Sequence, residues 1–167
     1  MFDSSDHERC IVHDALAHAF SPDNSTVVDR AIRHIEARIF RRNGLLCSPE
    51  DVHDYVRLKL AGEPAEIFAA VFLDARQQVI AWEPLFRGTI DTCSIHSRVV
   101  LQRALAHNCA AIILVHNHPS GCSDPSPADR RITQVLKELL EPVDIRVLDH
   151  LIVGEGLPFS FSQHGLL

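Results

Sequence analysis

The sequence predicts an α/β domain, a mixed β-sheet flanked by helices, preceded by an N-terminal helical segment. Three features point there. Residues 67–73 (IFAAVFL) and 110–115 (AAIILV) are short apolar runs with no polar face, the pattern of strands buried on both sides. Helical patterns over 97–107 and 128–140 alternate with these strands. Polar turns as short as residues 74–78 also join strands directly, so no regular strand–helix–strand repeat runs through the chain and a mixed sheet is expected. The helical segment is assigned to residues 1–62 and the sheet domain to 63–167.

In residues 1–21, Ile11, Leu16 and Phe20 are spaced as in a helix without a clear cap or end, and residues 21–25 (SPDNS) form a turn. Ser25 or Thr26 then caps a helix whose apolar stripe is Val28, Ile32, Ile35 and Ile39 and which Gly44 ends. Arg33, Arg38, Arg41 and Arg42 lie on its other face; a solvated helix face is the plainer reading, a nucleic-acid or acidic-partner contact the sharper one. Ser48, Pro49, Glu50 and Asp51 make a helix start, with the serine as cap, proline in the first position and acids in the first turn. Val52, Val56 and Leu60, with Tyr55 beside them, supply its buried stripe, and Gly62 stops it.

Residues 67–73 and 79–82 form a hairpin, and extended structure resumes over 85–90 with a break at Gly88. The helix over 97–107 turns Val100, Leu101, Ala104 and Leu105 to one side, ends at Asn108 and leads into the strand at 110–115. The helix from Ala128 to Leu140 places Ile132, Val135, Leu136 and Leu139 inward and stops before Pro142. Residues 143–148 and 151–153 are expected as separate short strands with Asp149 and His150 between them, and 159–162 as an edge strand.

A chain of 167 residues suffices for one domain with a substantial core, or a smaller one with an appendage. No apolar run approaches the ~20 residues that span a bilayer, and residues 1–10 are polar and acidic, unlike a signal peptide, so a cytoplasmic location is expected by elimination and no membrane partner. The five cysteines are scattered and lack a CxxC pair, which favours reduced thiols. A net charge of −6 counts against a dedicated nucleic-acid binder, because phosphate is contacted mainly by Lys and Arg. Nothing sets the oligomeric state.

The chemistry is concentrated in residues 110–129. The buried strand delivers His116 and His118, and positions i and i+2 of a strand point to one side. Pro119, Gly121, Pro125 and Pro127 forbid regular structure until Ala128, and Asp129 then falls in the first turn of a helix. Two imidazole nitrogens and a carboxylate make a three-ligand zinc site that leaves a fourth position for water. An HxH pair alone is commonplace. What raises it here is a buried strand before it, a stiffened loop after it, and Ser126 and Asp129 at fixed separation. Asp129 also reads as an acid stabilised at a helix start, Ser126 as the cap of that helix, and Cys122 as either a bystander or a thiolate ligand that would close the water position.

The run HNHPSG followed by Ser126 and Asp129 resembles the JAMM metalloprotease pattern, His-x-His, seven residues, Ser-x-x-Asp. FRGTI at 86–90, LVHNHPSG at 114–121, ADRRIT at 128–133, VDIRVLDHLIVG at 143–154 and the closing FSFSQHGLL are similar to the bacterial RadC family, from about Glu66 to the C-terminus. The resemblance implies the cytidine-deaminase-like JAMM/MPN fold, a Zn2+ cofactor held by His116, His118 and Asp129, and hydrolysis of a peptide, amide or isopeptide bond in a peptide or protein-conjugate substrate. It implies a glutamate as general base, matched here by Glu66, with Glu83 and Glu63 as rivals. Ser126 would donate to the oxyanion or position the scissile carbonyl. His150 and Arg98 match family residues, but Ser97-Arg98-Val99 replaces the usual Pro-Arg-Glu. No hairpin glycine pattern precedes Gly44, so the chain looks like a short form without the helix-hairpin-helix of many relatives. Two other classes stay open: a DNA-associated accessory protein, of repair or of a mobile element, and a non-catalytic scaffold. Two histidines and an aspartate also suit iron, manganese or nickel.

Overall fold

The computed structural model describes residues 25–39, 49–60, 62–88 and 95–167. The helix expected within 1–21, Gly44, and the arginines at 41 and 42 lie outside these residues. The chain divides into two compact units, Met1–Gly62 and Glu63–Leu167.

In the first unit, α1 (Ser25–Ile39) packs against α2 (Pro49–Leu60). Ala31, Ile35 and Ile39 of α1 and Val52, Tyr55, Val56, Leu58 and Leu60 of α2 are buried. Glu36 fastens the pair, accepting from the Tyr55 hydroxyl at 3.1 Å and from Lys59 Nζ at 2.8 Å. Gly62 takes a left-handed φ of 72° just beyond α2, a conformation that costs glycine little.

The second unit is a five-stranded mixed sheet in the order β2-β1-β3-β4-β5. Its strands are β1 (Ile67–Leu73), β2 (Val79–Arg87), β3 (Ala111–Asn117), β4 (Arg146–Val153) and β5 (Phe159–Ser160). β1 runs antiparallel to β2 and to β3, β3 and β4 are parallel, and β5 closes antiparallel on β4. Between the strands lie α3 (Ser97–Ala106) and α4 (Pro127–Leu140), the latter followed by a 3-10 turn, Glu141–Val143. Phe68, Ala70 and Phe72 of β1 and Ile112 and Leu114 of β3 form one core with Val100 and Ala104 of α3 and Leu136 and Leu140 of α4. Both helices therefore cover the even-numbered face of the central strands. No helix among the described residues is long and apolar enough to cross a membrane.

Five details differ from the sequence-based expectations. Residues 79–82 and the stretch from 85 belong to one strand, because β2 is an edge strand that tolerates Pro84 and absorbs two register shifts against β1. Leu105 and Val135 are exposed, at 54% and 48%, so α3 and α4 are turned slightly from the expected phase. The inward stripe of α4 is Asp129, Thr133, Leu136 and Leu140, two of them polar. Asp149 and His150 do not separate two strands but sit within β4, where a register shift between Ile112 and Ile113 lets one extra residue, Leu148, bulge. That bulge brings His150 opposite Leu114 and turns it into the core. The strand assigned to 159–162 ends at Ser160, where Asp149 gathers the following turn by accepting from Ser160 Oγ and from the Ser162 amide.

Gly154, at the end of β4, lies against the loop between β3 and α4: a Cβ there would come within 2.4 Å of the Gly121 carbonyl oxygen and 2.9 Å of the Ser123 nitrogen. Backbone cannot yield that much locally, so Gly154→Ala is expected to destabilise the second unit by about 1–3 kcal/mol, read as a lowered thermal midpoint. An unchanged midpoint would mean that the loop moves freely away from β4.

Candidate metal centre

Each side chain of the candidate site is placed by a local rule. β3 ends at Asn117 and its last backbone contact runs on into His118, whose N–H donates to the Val153 carbonyl at 2.8 Å. This keeps the strand's period of two past its formal end, so His116 and His118 share a side. At the other side of the loop, Ser126 is the N-cap of α4, with Pro127 in the first helical position. Ser126 and Asp129 form a capping box: Ser126 Oγ accepts from the Asp129 N–H at 3.2 Å, and the Ser126 N–H donates to Asp129 Oδ2 at 2.8 Å. The Ser126 hydroxyl also donates to Oδ2, at 2.6 Å. These bonds pin the Asp129 carboxylate at the helix start and leave it facing the histidines.

His116 Nε2 and His118 Nε2 are 2.9 Å apart. Asp129 Oδ1 is 3.3 Å from the first and Oδ2 is 3.6 Å from the second. One ligand atom from each residue lies within 4.8 Å of the others, and this is the group that can hold a metal ion among the described residues. The donor set, two imidazole nitrogens and a carboxylate, fits a divalent cation of borderline softness such as zinc. Cys122 is exposed; its Sγ lies 3.6 Å from Asp124 Oδ2, and its part in the site is a backbone carbonyl that accepts from His118 Nδ1 at 2.6 Å.

Behind His116 runs a buried polar chain. His116 Nδ1 is 2.8 Å from His150 Nε2, His150 Nδ1 is 2.6 Å from Thr133 Oγ1, and Thr133 Oγ1 donates to the Asp129 carbonyl at 2.6 Å. Thr133 was not singled out from the sequence, where it reads as one more helix residue; its position four after Asp129 was the available signal.

The sheet register places the acid. Phe68 pairs with His116, the last pair of β1 and β3, and Glu66, two residues before Phe68, is close enough to interact electrostatically with His118 and Asp129. Asn117 ties down the entry to β1: its Oδ1 accepts from the Ile67 N–H at 2.8 Å, and its Nδ2 donates to the Ala65 carbonyl at 3.1 Å. Asn117 also escaped the sequence reading, because an asparagine between two histidines offers no pattern. Glu83 is held elsewhere, in a two-pronged ion pair with Arg103 and a 2.7 Å contact with His107 Nε2. Glu63 takes Arg87 at 3.1 Å. Arg98 is exposed in the first turn of α3.

The electrostatics separate these groups. Burial pushes His116 down to about 4, despite the opposing pull of Asp129. His118 moves the other way, raised by its contact with the Asp129 carboxylate against a smaller effect of burial. Burial works to raise Asp129, but His118, His116 and the Ser126 bonds outweigh it and hold the carboxyl far below its usual range. Glu66 is raised, chiefly by burial, with the Asp129 charge adding and His118 opposing. Glu83 is held down to about 2, mainly by Arg103.

Two measurements follow. A cation at His118 Nε2 must displace the proton that Asp129 favours there, whereas His116 is already neutral near neutral pH. Apparent Co2+ or Zn2+ affinity, measured by chelator competition, should therefore fall by about tenfold per pH unit as pH drops below the raised His118 pKa. The decline should begin above pH 6.5, the ordinary value; a pH-independent affinity would exclude His118 as a ligand. Asn117→Ala strands the buried Ile67 N–H and should cost about 1–3 kcal/mol in chemical denaturation, with metal affinity much less affected than in His118→Ala.

Residues 46–166 match the family model described as RadC-like JAB domain. Among relatives, a UPF0758 protein of Stutzerimonas stutzeri is 47% identical over 161 residues, covering 96% of this chain and 71% of that protein. UPF0758 proteins of Azotobacter vinelandii and Nitrosococcus oceani are 52% and 55% identical, covering 84% and 81% of this chain but 62% and 60% of their own lengths. The chain thus spans between three fifths and about seven tenths of these relatives. A match over most of the chain, on a mixed sheet whose β3 and α4 bring two histidines and an aspartate together, shows that this chain belongs to the RadC family and contains its JAMM-type domain.

Proposed function

We propose that this domain is a zinc-dependent hydrolase of peptide, amide or isopeptide bonds. The observation that supports it most is the convergence of two imidazole nitrogens and a carboxylate near a second carboxyl, Glu66, whose pKa burial raises. His116, His118 and Asp129 would hold the metal. Bound Zn2+ supplies Lewis acidity, polarising a carbonyl and bringing the ionisation of water to a pKa of roughly 7.

The remaining steps belong to the protein. Glu66, which interacts with the charges of His118 and Asp129, takes a proton from the attacking water on its carboxylate and passes it to the departing amine nitrogen. Burial raises its pKa, moving it toward the ambient pH at which a general acid–base works best. Ser126 Oγ exchanges its partner at Asp129 for the developing oxyanion, a move that its place at the N-cap allows by rotation of a single bond. Asp129 keeps its backbone partner at the Ser126 N–H throughout.

The test is hydrolysis of internally quenched peptides and of lysine ε-linked isopeptides by the Zn2+-loaded protein. Glu66→Gln should lower kcat by roughly 10²–10⁴-fold, the usual size of a general acid–base contribution, while bound zinc per chain stays the same. Asp129→Ala should lose both activity and metal. Full activity in Glu66→Gln, with Glu83→Gln inactive, would move the base to the other side of β1; no stoichiometric metal in the unsubstituted protein would end the proposal.

A further inference from the structure

The two histidines of the triad are anchored differently. His118 Nδ1 meets the Cys122 carbonyl at 2.6 Å. A carbonyl oxygen only accepts, so Nδ1 carries the hydrogen, and in the neutral ring Nε2 presents a lone pair to the site. His116 has no carbonyl at its Nδ1. It meets another imidazole, His150 Nε2, at 2.8 Å, and an imidazole nitrogen can donate or accept. The direction of that one bond decides whether His116 Nε2, 2.9 Å from His118 Nε2, bears a lone pair or a hydrogen.

The direction is settled two side chains away. Thr133 Oγ1 lies 2.6 Å from the Asp129 carbonyl and 2.6 Å from His150 Nδ1. The carbonyl cannot donate, so the hydroxyl hydrogen points at it, and only a lone pair of Oγ1 faces His150. His150 Nδ1 must then carry a hydrogen. With no solvent exposure at all, the His150 ring is held neutral, which leaves its Nε2 as an acceptor. His116 Nδ1 accordingly donates, and its Nε2 is bare.

We propose that Thr133 and His150 are positioning residues that fix the tautomer of His116, so that Nε2 faces His118 and Asp129 as a lone pair. The chain starts on the backbone carbonyl of Asp129 and ends beside that residue's own carboxylate. One residue of α4 thus supplies both a candidate ligand and the anchor that sets the protonation pattern of another. The proposal deepens the metal-site reading and rests on it for its purpose, though not for its geometry.

The test uses the metal-free protein with 15N-labelled histidine, read at pH about 8 by long-range 1H–15N correlation spectra, together with Co2+ affinity. In the unsubstituted protein His116 should be the Nδ1–H tautomer. Thr133→Val keeps the shape without the hydroxyl, frees His150 to reverse, and should populate the Nε2–H form of His116 while weakening Co2+ binding by roughly 10–100-fold. Thr133→Ser should restore both readouts, which a purely structural role of the threonine methyl would not do. An Nε2–H His116 in the unsubstituted protein, or a tautomer indifferent to Thr133→Val, overturns the proposal; if the valine variant does not fold, the unsubstituted spectrum still decides. An Nδ1–H His116 in a protein that binds no Co2+ would support the tautomer relay and defeat the metal reading.

Discussion

Lone pairs turned toward a common point repel one another, and the second unit is organised around a place where three residues do this. His116 Nε2, His118 Nε2 and the Asp129 carboxylate converge where His116 is 1% exposed, so little water is present to screen them. Such an arrangement is favourable only with a cation among the three groups, and the elevated affinity of His118 for a proton is the same fact seen without a metal. The fold must supply the stiffness that keeps the groups from turning away. β3 does so with its central position in the sheet, and α4 with a capping box that spends the Asp129 carboxylate's outer lone pairs on Ser126.

The loop between those two elements is held from the side by β4. Gly154 admits the backbone of Gly121 and Ser123 because it has no side chain, and the Glu155 N–H donates to the Gly121 carbonyl at 2.8 Å. Further along β4, the Leu148 bulge turns His150 inward, while Asp149 gathers the turn that follows β5. One strand therefore steadies the loop and aims a second histidine at the first, which explains why its polar pair belongs inside a strand.

Two carboxyls of the β1–β2 hairpin region show how placement divides their chemistry. Glu66, at the mouth of β1, lies near His118 and Asp129 and is raised by burial; Glu83, in β2, is pushed down mainly by its hydrogen-bonded ion pair with Arg103. Nothing distinguishes the side chains themselves. A carboxyl paired with a guanidinium is held ionised as a structural pin, and one that loses water with no such ion pair has its pKa raised.

What the sequence determined by itself was the mixed sheet with its helices and the local set of His116, His118, Ser126 and Asp129. These are short-range relations: the two-residue period of a strand and the three-residue reach of a capping box operate wherever the chain folds locally. The tertiary structure decided which glutamate faces the triad, that Asp149 and His150 continue a strand, and that Thr133 and Asn117 matter. Those outcomes hang on contacts across 17, 34 and 50 residues, Thr133 to His150, His116 to His150 and Ile67 to Asn117, and no local period encodes them. They arise from strand register and a single bulge, and a register is chosen only when whole strands meet and bury their faces together.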